Sequence, residues 1–156
     1  MKKITLTALL VLFAFFSSPA QKGQGNAELA NQYLSTGEVE KAVVYFEKFY
    51  DEDPFSAYPG YLQCLLKLNE NERAEKLIRK QQKKFPQDPA FKVDLGDLYA
   101  SMGQTEKASR TYGDAIRNLP ADVNIINLLG NAFSKRQMFD YAIEAFREGR
   151  KQMKGA

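Results

Sequence analysis

The chain has 156 residues, 44% of them hydrophobic, with 22 Lys and Arg against 19 Asp and Glu, no His, no Trp and one Cys. That length supports one domain of ordinary size with a real core. The missing histidine removes Ser-His-Asp and Cys-His triads and the common zinc sites, and a single cysteine cannot staple a fold by disulfides.

The first element in the chain is a leader. MKK, the apolar run ITLTALLVLFAFF and then SSPA reproduce the three parts of a secretory signal peptide over residues 1–20, with Ser18 and Ala20 as the small residues that place the cut before Gln21. The alternative, an uncleaved anchor, needs roughly 20 apolar residues, and this run has 13. Cleavage takes Lys2 and Lys3 with it, so the mature part carries 20 basic against 19 acidic side chains. A nearly neutral chain gives no support to nucleic-acid or anionic-membrane binding, and no stable membrane insertion is expected once the leader is cleaved. The protein is therefore expected to be exported, periplasmic or secreted.

After the leader, GEVEKAVVYF at 37–46 and GQTEKASRTY at 103–112 are one phrase written twice. Aligning its alanine along the chain gives Ala42, Ala74, Ala108 and Ala142, each followed four residues on by Phe46, Ile78, Tyr112 or Phe146. Such i, i+4 pairs share one helix face. About twelve residues before each alanine lies a second helical stripe: Leu29-Ala30 with Tyr33, Tyr61-Leu62 with Leu65, Leu95-Gly96 with Tyr99, and Leu129-Gly130 with Phe133. Short breakers around Gly37, Asn69, Gly103 and Gln137 separate the two stripes, and Pro54, Pro86 and Pro120 follow the second one in three of the four units.

The spacing predicts helices over 25–36, 39–52, 57–68, 71–84, 89–102, 105–118, 123–135 and 139–152. Pro59-Gly60 then falls in the first turn of the third helix, and a local irregularity is expected nearby. Each unit is a pair of antiparallel helices that cannot bury its apolar faces alone, so neighbours must stack. The fold is expected to be all-α, with four units over about 23–54, 55–88, 89–122 and 123–154 in one domain spanning 21–156.

Leu95, Gly96, Tyr99, Ala108, Tyr112 and Pro120 follow the pattern L-G-x2-Y, A-x3-F, P, and the chain resembles the tetratricopeptide-repeat family. The first and fourth units match less fully and the second least, and the family's Trp slot holds Asn26, Tyr58, Lys92 and Ile126. The resemblance implies a right-handed α-solenoid whose concave face, lined by the first helix of each unit, binds a protein or peptide segment.

Helical geometry then selects the groove candidates. Asn31, Gln63, Asp97 and Asn131 occupy equivalent places on the four first helices, and Asn127 and Lys135 enrich the same face in the fourth unit. A carboxamide donates and accepts at once, which suits the main chain of an extended ligand. The positive charge is too sparse for the clamping of a terminal carboxylate.

At the other end, Phe139, Ile143 and Phe146 lie on the last helix, whose edge is expected to meet another protein, to pair with itself or to continue into a longer chain. No cofactor or metal is expected. The Asp51-Glu52-Asp53 cluster reads as a solvated turn, Asp94 with Asp97 as a polar face, and Cys64 as a buried small hydrophobe. The expected role is a non-enzymatic scaffold in the bacterial cell envelope. The alternative is an N-terminal recruiting or sensory module of a larger envelope enzyme or machine.

Overall fold

A computed structural model describes residues 19–155, and all regular structure among them is helical. The elements are α1 (Pro19–Ser35), α2 (Val39–Glu52), α3 (Pro54–Lys67), α4 (Asn71–Lys84), α5 (Ala90–Ser101), α6 (Thr105–Arg117), α7 (Val123–Lys135) and α8 (Phe139–Gly155). Most of the predicted leader lies outside the described residues, although α1 begins at Pro19 and so runs across the expected cut.

Four turns of one kind set the repeat. Gly37, Asn69, Gly103 and Gln137 all have positive φ, between 56° and 81°. In each turn the next amide bonds back to the first helix: Glu38 to Tyr33, Glu70 to Leu65, Gln104 to Tyr99 and Met138 to Phe133, at 2.8–3.0 Å. This six-to-one bond closes a Schellman-type end, and the left-handed residue inside it is cheapest as glycine. The carbonyl of that same next residue then accepts from the amide of Ala42, Ala74, Ala108 or Ala142, so the alanine marks the first full turn of each second helix. All four alanines are buried.

Gln137 keeps a side chain at φ 60° where two sister turns use glycine. Gln137→Gly is accordingly expected to raise stability by about 0.5–1 kcal/mol, the backbone strain removed outweighing the entropy added to the unfolded chain. The urea midpoint, followed by helical circular dichroism, should rise; a fall would mean that the left-handed turn carries no strain.

The junctions between units use aspartate. Asp53 Oδ1 accepts from the amide of Ser56 at 3.1 Å, Asp88 Oδ1 from Ala90 at 2.9 Å, and Asp122 Oδ1 from Asn124 at 2.8 Å and Ile125 at 3.3 Å. Each satisfies an amide that a helix start leaves without a partner. Asp53 also lets α3 begin earlier than expected, because Pro54 sits in the first helical position, where its missing N–H costs nothing. Pro59 consequently lies inside α3 instead of in its first turn. The exposed Asp53 carboxyl is held below the usual range, chiefly by its bonds to the Ser56 hydroxyl and amide.

Packing divides the chain into two compact units, one through Tyr61 and one from Leu62 on, parting just after Pro59-Gly60. In the first unit α1 packs on α2. Tyr33 stacks on Tyr45 with ring centroids 5.5 Å apart, Lys41 Nζ stands 5.3 Å above the Tyr33 ring, and Tyr50 meets Tyr61 edge-on at 5.9 Å. The ring of Phe46 lies where a Cβ on Gly60 would be, so the chain there approaches α2 as closely as glycine allows.

In the second unit the hairpins α5/α6 and α7/α8 stack first helix on first helix and second on second, with α4 against α5. A Cβ on Gly96 would stand 2.1 Å from the Tyr112 ring, and one on Gly130 2.2 Å from the Phe146 ring. The small residue of the first stripe is thus the seat for the aromatic that follows the alanine. Phe133 is fully buried between Tyr112 (5.7 Å, edge-on) and Tyr141 (5.4 Å, stacked), which seals α6, α7 and α8 together. Cys64 is also buried, as expected, and burial pushes its thiol up to about 11.

Candidate functional site

The first helices position the candidate groove residues, and their surroundings separate them. In the first unit Asn31 is exposed on α1, and its Nδ2 donates to the Ala27 carbonyl of its own helix at 2.8 Å. In the second unit Gln63 is exposed on α3, while Asn127, Asn131 and Lys135 are exposed together on one face of α7. Asn124 and Leu128 are exposed on that same face, which therefore offers three carboxamides, a lysine and one apolar side chain within about three turns.

Asp97 does not match the role expected of it. Its Oδ1 accepts from the Tyr112 hydroxyl at 2.7 Å, and its Oδ2 is bonded by Arg136 Nε. The same guanidinium reaches Asp94 Oδ1 through Nη2 and donates from Nη1 to the Ala132 carbonyl at 2.8 Å. Asp97 is therefore committed to a bridge between α5, α6 and the end of α7, because a planar guanidinium matches two carboxylates set i, i+3 on the facing helix. Burial, and then the bond to Asp97, push the Tyr112 phenol well above its ordinary range. The hydroxyl accordingly stays a donor throughout the physiological range.

A second network ties α4 to α5 and α6. The Tyr99 hydroxyl donates to Glu75 Oε1 at 2.7 Å and accepts from Arg79 Nη2 at 2.9 Å, while Arg79 Nε also donates to Glu75 at 2.9 Å. Lys107 Nζ stands 3.7 Å above the Tyr99 ring. The Tyr99 bond, followed by Arg79, holds the Glu75 carboxyl below its usual value. Lys41 over Tyr33 and Lys107 over Tyr99 are the same residue of the recurring phrase making the same cation–π contact. Sequence reasoning found the phrase but not this use of its lysine. It also missed Arg136, whose partners are 39 and 42 residues away, a separation no local pattern encodes.

Phe139, Ile143 and Phe146 are 60%, 55% and 40% exposed on α8, so the apolar edge read from the sequence is a surface in the folded chain. Phe146 keeps one side against Gly130, whereas the other two project outward.

Comparison with known proteins agrees with this architecture. Residues 91–120, the α5/α6 hairpin and its following turn, match the tetratricopeptide repeat family. A crystal structure of MamA is similar at 19% identity over 88% of this chain and 81% of that one, with a TM-score of 0.52. A double mutant, MamA RS-1 ArsTM, is similar at 20% identity over 85% of this chain and 76% of that one, with a TM-score of 0.50. These likenesses concern the fold. No curated protein matches the chain. Residues 91–120 form a tetratricopeptide repeat, and the repeated turns, the buried alanines and the stacked hairpins of the second unit agree with the all-helical fold of the similar structures.

Proposed function

We propose that this protein is a non-enzymatic scaffold of the bacterial cell envelope that holds an extended segment of a protein partner against the exposed face of α7. A tetratricopeptide-repeat fold supports protein binding in general. The observation that carries the specific reading is the row Asn124, Asn127, Asn131 and Lys135, all exposed on one helix face beside the exposed Leu128. Carboxamides spaced in this way can pair with both the N–H and C=O groups of an extended main chain, and Leu128 offers an apolar foothold. Asp94 and Asp97 serve the scaffold by holding Arg136, which fixes the end of α7 against α5. Export rests on the leader-like residues 1–20.

Photo-crosslinking in intact cells tests the reading. A photoreactive residue replacing Leu128 should trap a protein partner from the envelope fraction, whereas one replacing the exposed Arg110 on α6 should not. Changing Asn124, Asn127 and Asn131 together to Ala in the Leu128 probe should lower the yield by about tenfold, the equivalent of roughly 1.4 kcal/mol from lost main-chain hydrogen bonds. Undiminished trapping by a variant with an unchanged helical spectrum would remove α7 from the binding site.

A further inference from the structure

The face of α8 that turns away from the protein has an order of its own. Ala142, Ala145 and Gly149 are buried, and Gly149 is pressed against Ile126. On the exposed side Phe139, Ile143, Phe146 and Met153 form an apolar stripe at helical spacing, each between 40% and 60% exposed. Beside it runs a second exposed stripe, Asp140, Glu144, Arg147, Lys151 and Lys154, which is acidic in its first half and basic in its second. An apolar seam flanked by charges that reverse sign along the helix is complementary to itself in one orientation. Parallel alignment puts acid on acid; antiparallel alignment puts the acidic half on the basic half.

We propose that α8 pairs antiparallel with α8 of a second copy of this chain, about a two-fold axis near Phe146 and Arg147. In that register Asp140 lies opposite Lys154 of the second copy, and Glu144 lies within one residue of its Lys151. Phe139 meets Met153 half a turn away, and the two Phe146 rings approach each other at the axis. Arg150, the one charge within the apolar stripe, falls beside Glu144 of the second copy. Lys151 already donates to Glu148 of its own helix at 3.0 Å; an exposed pair of this kind is weak enough to exchange partners. The surface is isologous, so pairing closes at two copies and does not propagate. It engages α8 and leaves the exposed face of α7 out of the contact, so it stands apart from the binding role proposed above.

Cysteine scanning of the full chain with a short-span bismaleimide tests both contact and direction. The wild type, whose only cysteine is the buried Cys64, is the blank. Arg147→Cys should crosslink to a dimer. Asp140→Cys and Lys154→Cys should each fail alone and crosslink when mixed. Ile143→Glu, at a position 55% exposed and so harmless to folding, should cut the Arg147→Cys dimer by about tenfold or more, because it places a charge in the apolar seam. The absence of an Arg147→Cys dimer, a dimer indifferent to Ile143→Glu, or self-crosslinking of Asp140→Cys without the mixed product would each overturn the proposal. The last result would indicate parallel pairing.

Discussion

Truncating Phe133 to alanine is expected to remove about 3–5 kcal/mol of folding stability, a large part of the 5–15 kcal/mol typical of a domain. The ring is fully buried and is the middle member of an aromatic seam, with Tyr112 of α6 on one side and Tyr141 of α8 on the other. Tyr112 and Tyr141 also touch, at 5.0 Å between centroids, so the cavity left behind opens between two rings that cannot both collapse into it. The Tyr112 hydroxyl is anchored on Asp97 and its ring is seated over Gly96, which restricts that side further. Loss should appear first as a weakened near-ultraviolet tyrosine signal, then as a lower denaturant midpoint by helical circular dichroism. Because stacked repeats are stabilised by their neighbours, α7 and α8 should come apart from α5 and α6 earlier than in the wild type. A cost below about 1 kcal/mol would show that the seam is loosely packed and that hairpin stacking rests on other contacts.

The features that were legible in the sequence are those carried by local spacing. The alanine register, with its partners four residues on, fixed the second helices, and α2, α4 and α7 begin and end where the spacing places them. The turns at Gly37 and Gly103 announce themselves by glycine. Those at Asn69 and Gln137 were found by register alone, and only the backbone shows all four to be left-handed. The start of α3 was misread because Pro54 can end one helix or begin the next. The side chain of Asp53, capping the amide of Ser56, decides for the second.

The groove candidates divide along the same line. Exposure on a first helix followed from helical period, and Asn31, Gln63, Asn127, Asn131 and Lys135 are exposed. Asp97 obeys the same period, but its fate is set by Arg136 and Tyr112 arriving from other helices. A one-dimensional pattern says which face a residue occupies, not whether another side chain has already claimed it. The charge reversal along α8 was equally present in the sequence, and it acquires meaning only once α8 is seen to bury Ala142, Ala145 and Gly149 and to leave the adjoining stripe outside.

Arg136→Met should cost about 2 kcal/mol, between the small worth of a surface ion pair and the 3–5 kcal/mol of breaking a buried one. Methionine keeps most of the aliphatic stem, so the loss reports the guanidinium and not the packing. Removing it withdraws one partner from Asp94, whose side chain is only 12% exposed, and one from Asp97, and leaves two like charges one helical turn apart. It also withdraws the donor to the Ala132 carbonyl near the end of α7. The pair can be isolated with a double-mutant cycle of Arg136→Met and Asp94→Asn, read by denaturant unfolding. If one guanidinium holds both carboxylates, the two changes together should cost less than their sum by at least about 1 kcal/mol. Additivity within about 0.5 kcal/mol would mean that Arg136 does not fasten α7 to α5, and it would return Asp97 to the set of side chains available to a bound partner.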